Sequence, residues 1–140
     1  LRSNPGSAAV SIGKGGVMSH EALMRDYYRT YNSEDPAALR AFYHEDVVLV
    51  SAQGEMHGPD AILDSYRFLT GQFLDRMTPT HIAVDGDTAV VAITDRFTAR
   101  VDVADFMGVA LKKGESLDLS LRGTYTIDGG KFRRIVIEPV

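Results

Sequence analysis

Residues 88–101 read TAVVAITDRFTARV, and the alternation in that stretch decides the architecture. Val91, Ile93, Asp95, Phe97, Ala99 and Val101 fall on one face of an extended chain, while Thr94, Arg96, Thr98 and Arg100 fall on the other. The stretch is a long strand with one face turned to a core. Downstream, residues 116–127 (SLDLSLRGTYTI) alternate again and place Leu119, Leu121, Tyr125 and Ile127 on a common face. Asp128-Gly129-Gly130 supplies the positive φ angles of a tight hairpin, and residues 132–138 form the return strand. Upstream, residues 81–84 turn through Asp85-Gly86-Asp87 into the 88–101 strand. Residues 102–114 read as a connecting loop.

The N-terminal half carries the helical period instead. Ser19 precedes His20-Glu21-Ala22 as a cap, with an early acid favoured by the helix dipole. Leu23, Tyr27 and Tyr31 recur at i, i+4 and i+8, with Met24 and Tyr28 beside them, which makes one apolar and aromatic stripe. Asn32-Ser33-Glu34 ends that helix. Asp35-Pro36 starts a short second one with Leu39, Phe42 and Tyr43 inward, ending near His44. Residues 47–50 (VVLV) are a strand, closed by a turn around Gly54. Gly58-Pro59-Asp60 starts a third helix in which Ile62, Leu63, Tyr66, Leu69 and Phe73 keep a helical period, and after Pro79 the pattern is strand throughout. The predicted order is helix, helix, strand, helix and four strands, an α+β domain. A long antiparallel sheet must cover its apolar face, and three helices are available to cover it. Twist curls such a sheet over its helices, and the open end is where small-molecule cavities form.

A chain of 140 residues suits one domain large enough to bury a real core. Its 44% hydrophobic and 24% charged residues separate it from disordered and membrane classes. No apolar run nears the ~20 residues that cross a bilayer, so no membrane partner is expected. The net charge of -4 offers no basic footprint for nucleic acid. Without cysteine there are no disulfides, thiolate nucleophiles or thiolate metal sites. No two histidines show i, i+4 spacing on a helix, so neither metal nor organic cofactor is expected, and residence is expected to be cytoplasmic. Residues 1–17 are small, polar and glycine-rich, without a period and without the apolar stretch of a signal peptide. They are expected to be a flexible N-terminal extension or a cloning remnant, with the domain occupying residues 18–140.

Five short motifs in order resemble the NTF2-like superfamily, and within it the SnoaL-like polyketide cyclase and ketosteroid isomerase group. They are the Tyr31-Asn32-Ser33-Glu34-Asp35 helix break, the Phe42-Tyr43-His44-Glu45-Asp46-Val47-Val48 lead into the first strand, and the Gly58-Pro59-Asp60-Ala61-Ile62 helix start. Phe106-Met107-Gly108 followed by Lys113-Gly114 is similar to the family's flap loop, and Asp128-Gly129-Gly130-Lys131-Phe132 to its final hairpin. The resemblance covers residues 18–140. It implies a cone-shaped, cystatin-like fold in which a curved antiparallel sheet packs on three N-terminal helices around a pocket. It also implies a homodimer formed through the outer face of the sheet. Carried over residue by residue, the isomerase's oxyanion-donating tyrosine falls on Tyr27. Its general-base aspartate falls on Ser51, and its second acid on Arg122, or on Gly123 after a one-residue slip. Both acids are missing, so a standard ketosteroid isomerase is rejected.

What remains for chemistry is Asp95, a carboxylate among Val, Ile and Phe on the inward face of its strand. In a pocket wall, desolvation would raise its pKa towards acid–base use. Paired with Arg76, Arg122 or Arg134, it would be structural. His57, before the third helix, is placed near the pocket mouth, where a histidine can shuttle protons. Tyr27 would stabilise an oxyanion. Tyr31, Ser51, Phe97, Phe106, Met107 and Arg122 are the candidate ligand contacts. Residues 103–111 (VADFMGVAL) are too apolar for a bare surface loop, and Phe106 and Met107 would close over a hydrophobic ligand with Gly108 as hinge. Arg122 carries a conflict, because the alternation of its strand puts Leu121 inward while the resemblance puts Arg122 at the pocket. Three functions stay open. One is a cofactor-independent acid–base enzyme (isomerase, cyclase, dehydratase or hydrolase) on a hydrophobic or aromatic small molecule. The others are a non-catalytic binder of an apolar ligand, and an interaction module using the outer sheet face.

Overall fold

A computed structural model describes residues 19–140, and the extension expected over residues 1–17 lies outside the described residues. Ser19 caps α1 (His20–Asn32), its hydroxyl accepting from the Ala22 N–H at 3.1 Å. Asp35 caps α2 (Pro36–Arg40) by accepting from the Ala38 N–H at 3.2 Å, with Pro36 in the first turn. After β1 (Tyr43–Ser51) and β2 (Gly54–His57) comes α3 (Pro59–Gln72). The rest is strand: β3 (Phe73–Asp85), β4 (Thr88–Ala99), β5 (Val103–Phe106), β6 (Val109–Leu111), β7 (Ser116–Asp128) and β8 (Lys131–Pro139). Six strands form one sheet in the order β2-β1-β8-β7-β4-β3, and β5 and β6 make a separate two-stranded flap. The turn into β8 carries Gly129 at φ 61° and Gly130 at φ 77°, a conformation that costs a side-chain-bearing residue.

The fold class is the expected one, with departures in detail. Residues 102–114, expected as a loop, contain β5 and β6, and β2 is an added strand after the turn that closes β1. The sheet is mixed, because β1 runs parallel to β8 while every other neighbouring pair is antiparallel. No hairpin joins β1 to β8, so no tight turn fixes their relative direction. The second helix stops at Arg40, and Tyr43, expected at its end, opens β1 while staying buried. Finally, β3 starts at Phe73 rather than at His81. Phe73 matches the helical spacing of Ile62, Tyr66 and Leu69, but it is already extended at φ -134°, ψ 146°.

That last departure places the site. Between Pro79 and His81 the pairing of β3 with β4 slips by one residue, so Thr80 is the extra residue of a bulge. Side chains alternate strictly along a strand, so one added residue exchanges the faces. Ile82, opposite Val91, points inward after the bulge; before it, Met77 opposite Asp95 and Asp75 opposite Phe97 point inward too. β3 is an edge strand, where a proline without an N–H is tolerated.

The core lies between the inner sheet face and α1 and α3. It is rich in tyrosine, and each buried hydroxyl finds a partner, as the cost of burying a bare one requires. Tyr28 and Tyr125 share a hydrogen bond of 2.7 Å, Tyr27 and Tyr43 one of 2.9 Å, and the Tyr66 hydroxyl donates to the Tyr31 carbonyl. Phe132, fully buried, sets its ring 4.8 Å from that of Tyr27 in an edge-on arrangement.

Candidate functional site

Where the sheet curls away from the helices it leaves a cavity of about 240 Å³. Its floor is Tyr27, Tyr31 and Tyr43, its wall is the inner face of the central strands, and its lid is the flap. Phe106 anchors the flap, with its ring 4.5 Å from Phe73 and 4.8 Å from Phe97. Met107, at φ 54°, and Gly108, at φ 83°, make the flap turn, which the Asp105 side chain closes by accepting from the Gly108 N–H at 2.8 Å.

Two carboxyls face this apolar space. Asp95 is 1% exposed and Asp75 is 2% exposed, and both line the cavity. They sit on neighbouring strands in a diagonal relation, since Asp75 is opposite Phe97, two residues from Asp95 on the same face. The Tyr31 hydroxyl donates to Asp75 Oδ2 at 2.7 Å. Asp75 Oδ1 and Asp95 Oδ1 are fully enclosed, and no donor of another residue reaches them. Two carboxyls side by side cannot both ionise in such a place, so the pair holds at least one proton. Burial first, then the hydrogen bond and charge of Asp75, push Asp95 from 3.8 up to about 10. Burial raises Asp75 as well, opposed by the hydrogen bonds from Asp95 and Tyr31. Both members therefore resist ionisation, and Asp95 holds its proton well above the ordinary carboxyl range.

Among the described residues, no arginine pairs with either acid. Arg76 donates to the Asn32 carbonyl at 2.9 Å, Arg96 is bound to Asp118 at 2.8 and 3.0 Å, and Arg122 lies 3.7 Å from Glu138. The alternation of β3 and β4 sends Arg76 and Arg96, the chain neighbours of the two acids, to the outer face.

The structure gathers Asp95, Tyr27, Tyr31, Ser51, Phe97, Phe106 and Met107 around one cavity. Tyr27 does not bond Asp95; its hydroxyl is shared with Tyr43, and that bond uses one of the two protons and leaves the other for a ligand oxygen. His57 is not among the lining residues. It lies exposed on β2, 3.2 Å from Glu55, because β2 extends through it and turns it outward. Arg122 is also outside the cavity. Pairing of β7 with β4 runs without a slip, Ala92 opposite Arg122, so strict alternation leaves Arg122 exposed. The inward position is Gly123, where an added Cβ would meet Tyr125 Cε1 at 2.8 Å. The ring of Tyr125 occupies the room that an acid at this position would need. Asp75 was missed because residues 73–79 read as helix end and loop; the signal was the alternation of Phe73, Asp75 and Met77. Among the described residues, no three His, Asp or Glu side chains converge on a common point for a metal ion. No described helix is long and apolar enough to cross a membrane.

A mixed sheet curled over three helices around one cavity defines the NTF2-like class of folds. The SnoaL-like domain family matches residues 24–135, and the chain belongs to it. Solved structures agree in fold. An NTF2-like protein of unknown function from Burkholderia pseudomallei superposes with a TM-score of 0.71 at 20% identity, covering 88% of this chain and 92% of that one. A protein from Pseudomonas putida provisionally named a polyketide cyclase gives 0.71 at 23%, covering 86% and 91%. An LEH-like epoxide hydrolase from M. tuberculosis gives 0.68 at 13%, covering 84% and 80%. No curated protein matches the chain in sequence.

Proposed function

We propose that this protein is a cofactor-independent acid–base enzyme acting on a small hydrophobic or aromatic molecule, by isomerisation, cyclisation, dehydration or hydrolysis. The observation that carries the reading is the Asp75–Asp95 pair, two enclosed carboxyls side by side in an apolar cavity. Adjacent groups whose environments separate their protonation states are a ready acid and base. In this reading Asp95 delivers a proton to a ligand oxygen, and Asp75, whose ionised form the Tyr31 hydrogen bond favours, receives one. The spare hydroxyl proton of the Tyr27–Tyr43 pair stabilises negative charge developing on oxygen, and the flap excludes water. The names of the similar structures, a cyclase and an epoxide hydrolase, support this kind of chemistry without choosing within it.

A second reading, a binder that releases its ligand unchanged, is favoured by one observation. The positions onto which the isomerase's acids fall hold Ser51 and Arg122, or Gly123 after a one-residue slip. The readings part on a panel of enolisable ketones, enones and epoxides with small apolar bodies, followed by mass and chromatography. Turnover of one panel member that falls at least about a hundredfold in Asp95→Asn, with affinity kept, is the enzyme outcome. Tight binding with no product from any member gives the binder. The same proposal includes pairing of two copies through the outer sheet face.

A further inference from the structure

Two enclosed carboxyls face the cavity, and the fold supplies no cation to meet them. A buried carboxylate is normally met by a cation. Among the described residues lining the cavity there is no Lys, Arg or His. Arg76 and Arg96, next in sequence to the two acids, are held on the far face by Asn32 and Asp118. What does surround the pair is soft and aromatic. Phe97 stands opposite Asp75, and Met77 and Leu119 stand opposite Asp95. The Tyr31 ring, whose hydroxyl bonds Asp75, packs 4.9 Å from the ring of Tyr66. Enclosed carboxyls beside aromatic faces are the environment that organic cations seek, since ring faces attract positive charge and a carboxyl that ionises against it completes the site.

We propose that the molecule this cavity takes carries a protonated amine on a small apolar or aromatic body, and that the ammonium seats against the Asp75–Asp95 pair. The inference rests on the cavity being a small-molecule site, and it names the chemical class. An ammonium supplies the positive charge against which one carboxyl of the pair ionises. The apolar body then fills the space beneath Phe106. A neutral ligand of the same shape supplies no such charge.

The test is a calorimetric comparison, on the full chain at pH 7, of N,N-dimethylbenzylamine and isobutylbenzene, which match in shape and differ in charge. The expected result is at least tenfold tighter binding of the amine. Asp95→Asn is expected to keep that preference, because the Asp75 carboxyl remains to meet the ammonium. The double variant Asp75→Asn with Asp95→Asn is expected to bind both probes alike. Equal affinity in the wild type, or a preference surviving in the double variant, overturns the proposal. Binding of isobutylbenzene without any amine preference does so while leaving the cavity's role intact. Failure of both probes to bind removes the small-molecule reading as well. Should the double variant not fold, the wild-type comparison decides alone.

Discussion

Asp95 holds its proton because the folded chain gives the ionised form neither water nor a cation, and that has a consequence for stability. Its folded pKa lies near 10 against 3.8 for the ordinary group, so the native state binds a proton that the unfolded chain releases. A group raised in this way contributes stability that is fully present below about pH 4 and is lost as pH climbs towards 10. The slope from one such proton is at most about 1.4 kcal/mol per pH unit. Asp118 acts oppositely: lowered by its hydrogen bond with Arg96, it costs stability only in acid. The difference between wild type and Asp95→Asn isolates the buried group. Wild type is expected to lose ground steadily to Asp95→Asn in thermal midpoint between pH 5 and pH 9. A difference that stays flat over that range would mean that no proton is held between the two acids.

At the scale of elements, β3 determines whether the pair exists. Asp75 faces the cavity only because the Thr80 bulge exchanges faces before Ile82, and because the edge of β3 is clipped to the end of α1. Asn32 makes both clips, its amide donating to the Met77 carbonyl at 2.8 Å and its oxygen accepting from the Met77 N–H at 2.9 Å. Asn32→Ala is expected to cost about 1–3 kcal/mol in chemical denaturation. It should also weaken ligand binding, because Tyr31 and Asp75 sit one residue before and two residues before the clipped positions. Ser33→Ala, whose hydroxyl bonds only the Thr30 carbonyl at an exposed helix end, is the control and is expected within about 0.5 kcal/mol of wild type. Equal stability of the two variants would remove the clip from the account. The same strand shows what the sequence could and could not say. The caps at Ser19 and Asp35, the long strands β4 and β7 and the final hairpin were legible because their signals are local. Asp95 was legible because a strict period made an acid stand out. Asp75 was not, since the helical spacing of Phe73 hid the start of the strand and the bulge reversed its phase. For Arg122, alternation within the strand gave the true face and the resemblance did not.

At the scale of the molecule, the outer face of the sheet explains how the domain is expected to associate. Register carries an in-line row across it, with Val50 opposite Val136, Val136 opposite Thr124, Thr124 opposite Val90, and Val90 opposite Ala83. This row points away from the cavity, is half-buried except at Ala83, and is bordered by the Arg96–Asp118 and Arg122–Glu138 pairs. An apolar centre inside a rim of charge pairs is the anatomy of a protein interface. A two-fold axis would set the row of one copy on that of another. Light scattering is therefore expected to give a mass near twice 15.3 kDa, falling on dilution as mass action requires. Val90→Lys combined with Val136→Lys places like charges in the middle of that contact. It is expected to yield monomers that keep their cavity and its ligand, because the substituted side chains lie on the opposite face from Asp75 and Asp95. A wild-type mass of one chain at all concentrations would overturn the pairing. A monomeric lysine variant that also loses its ligand would show that the cavity depends on the second copy for its shape.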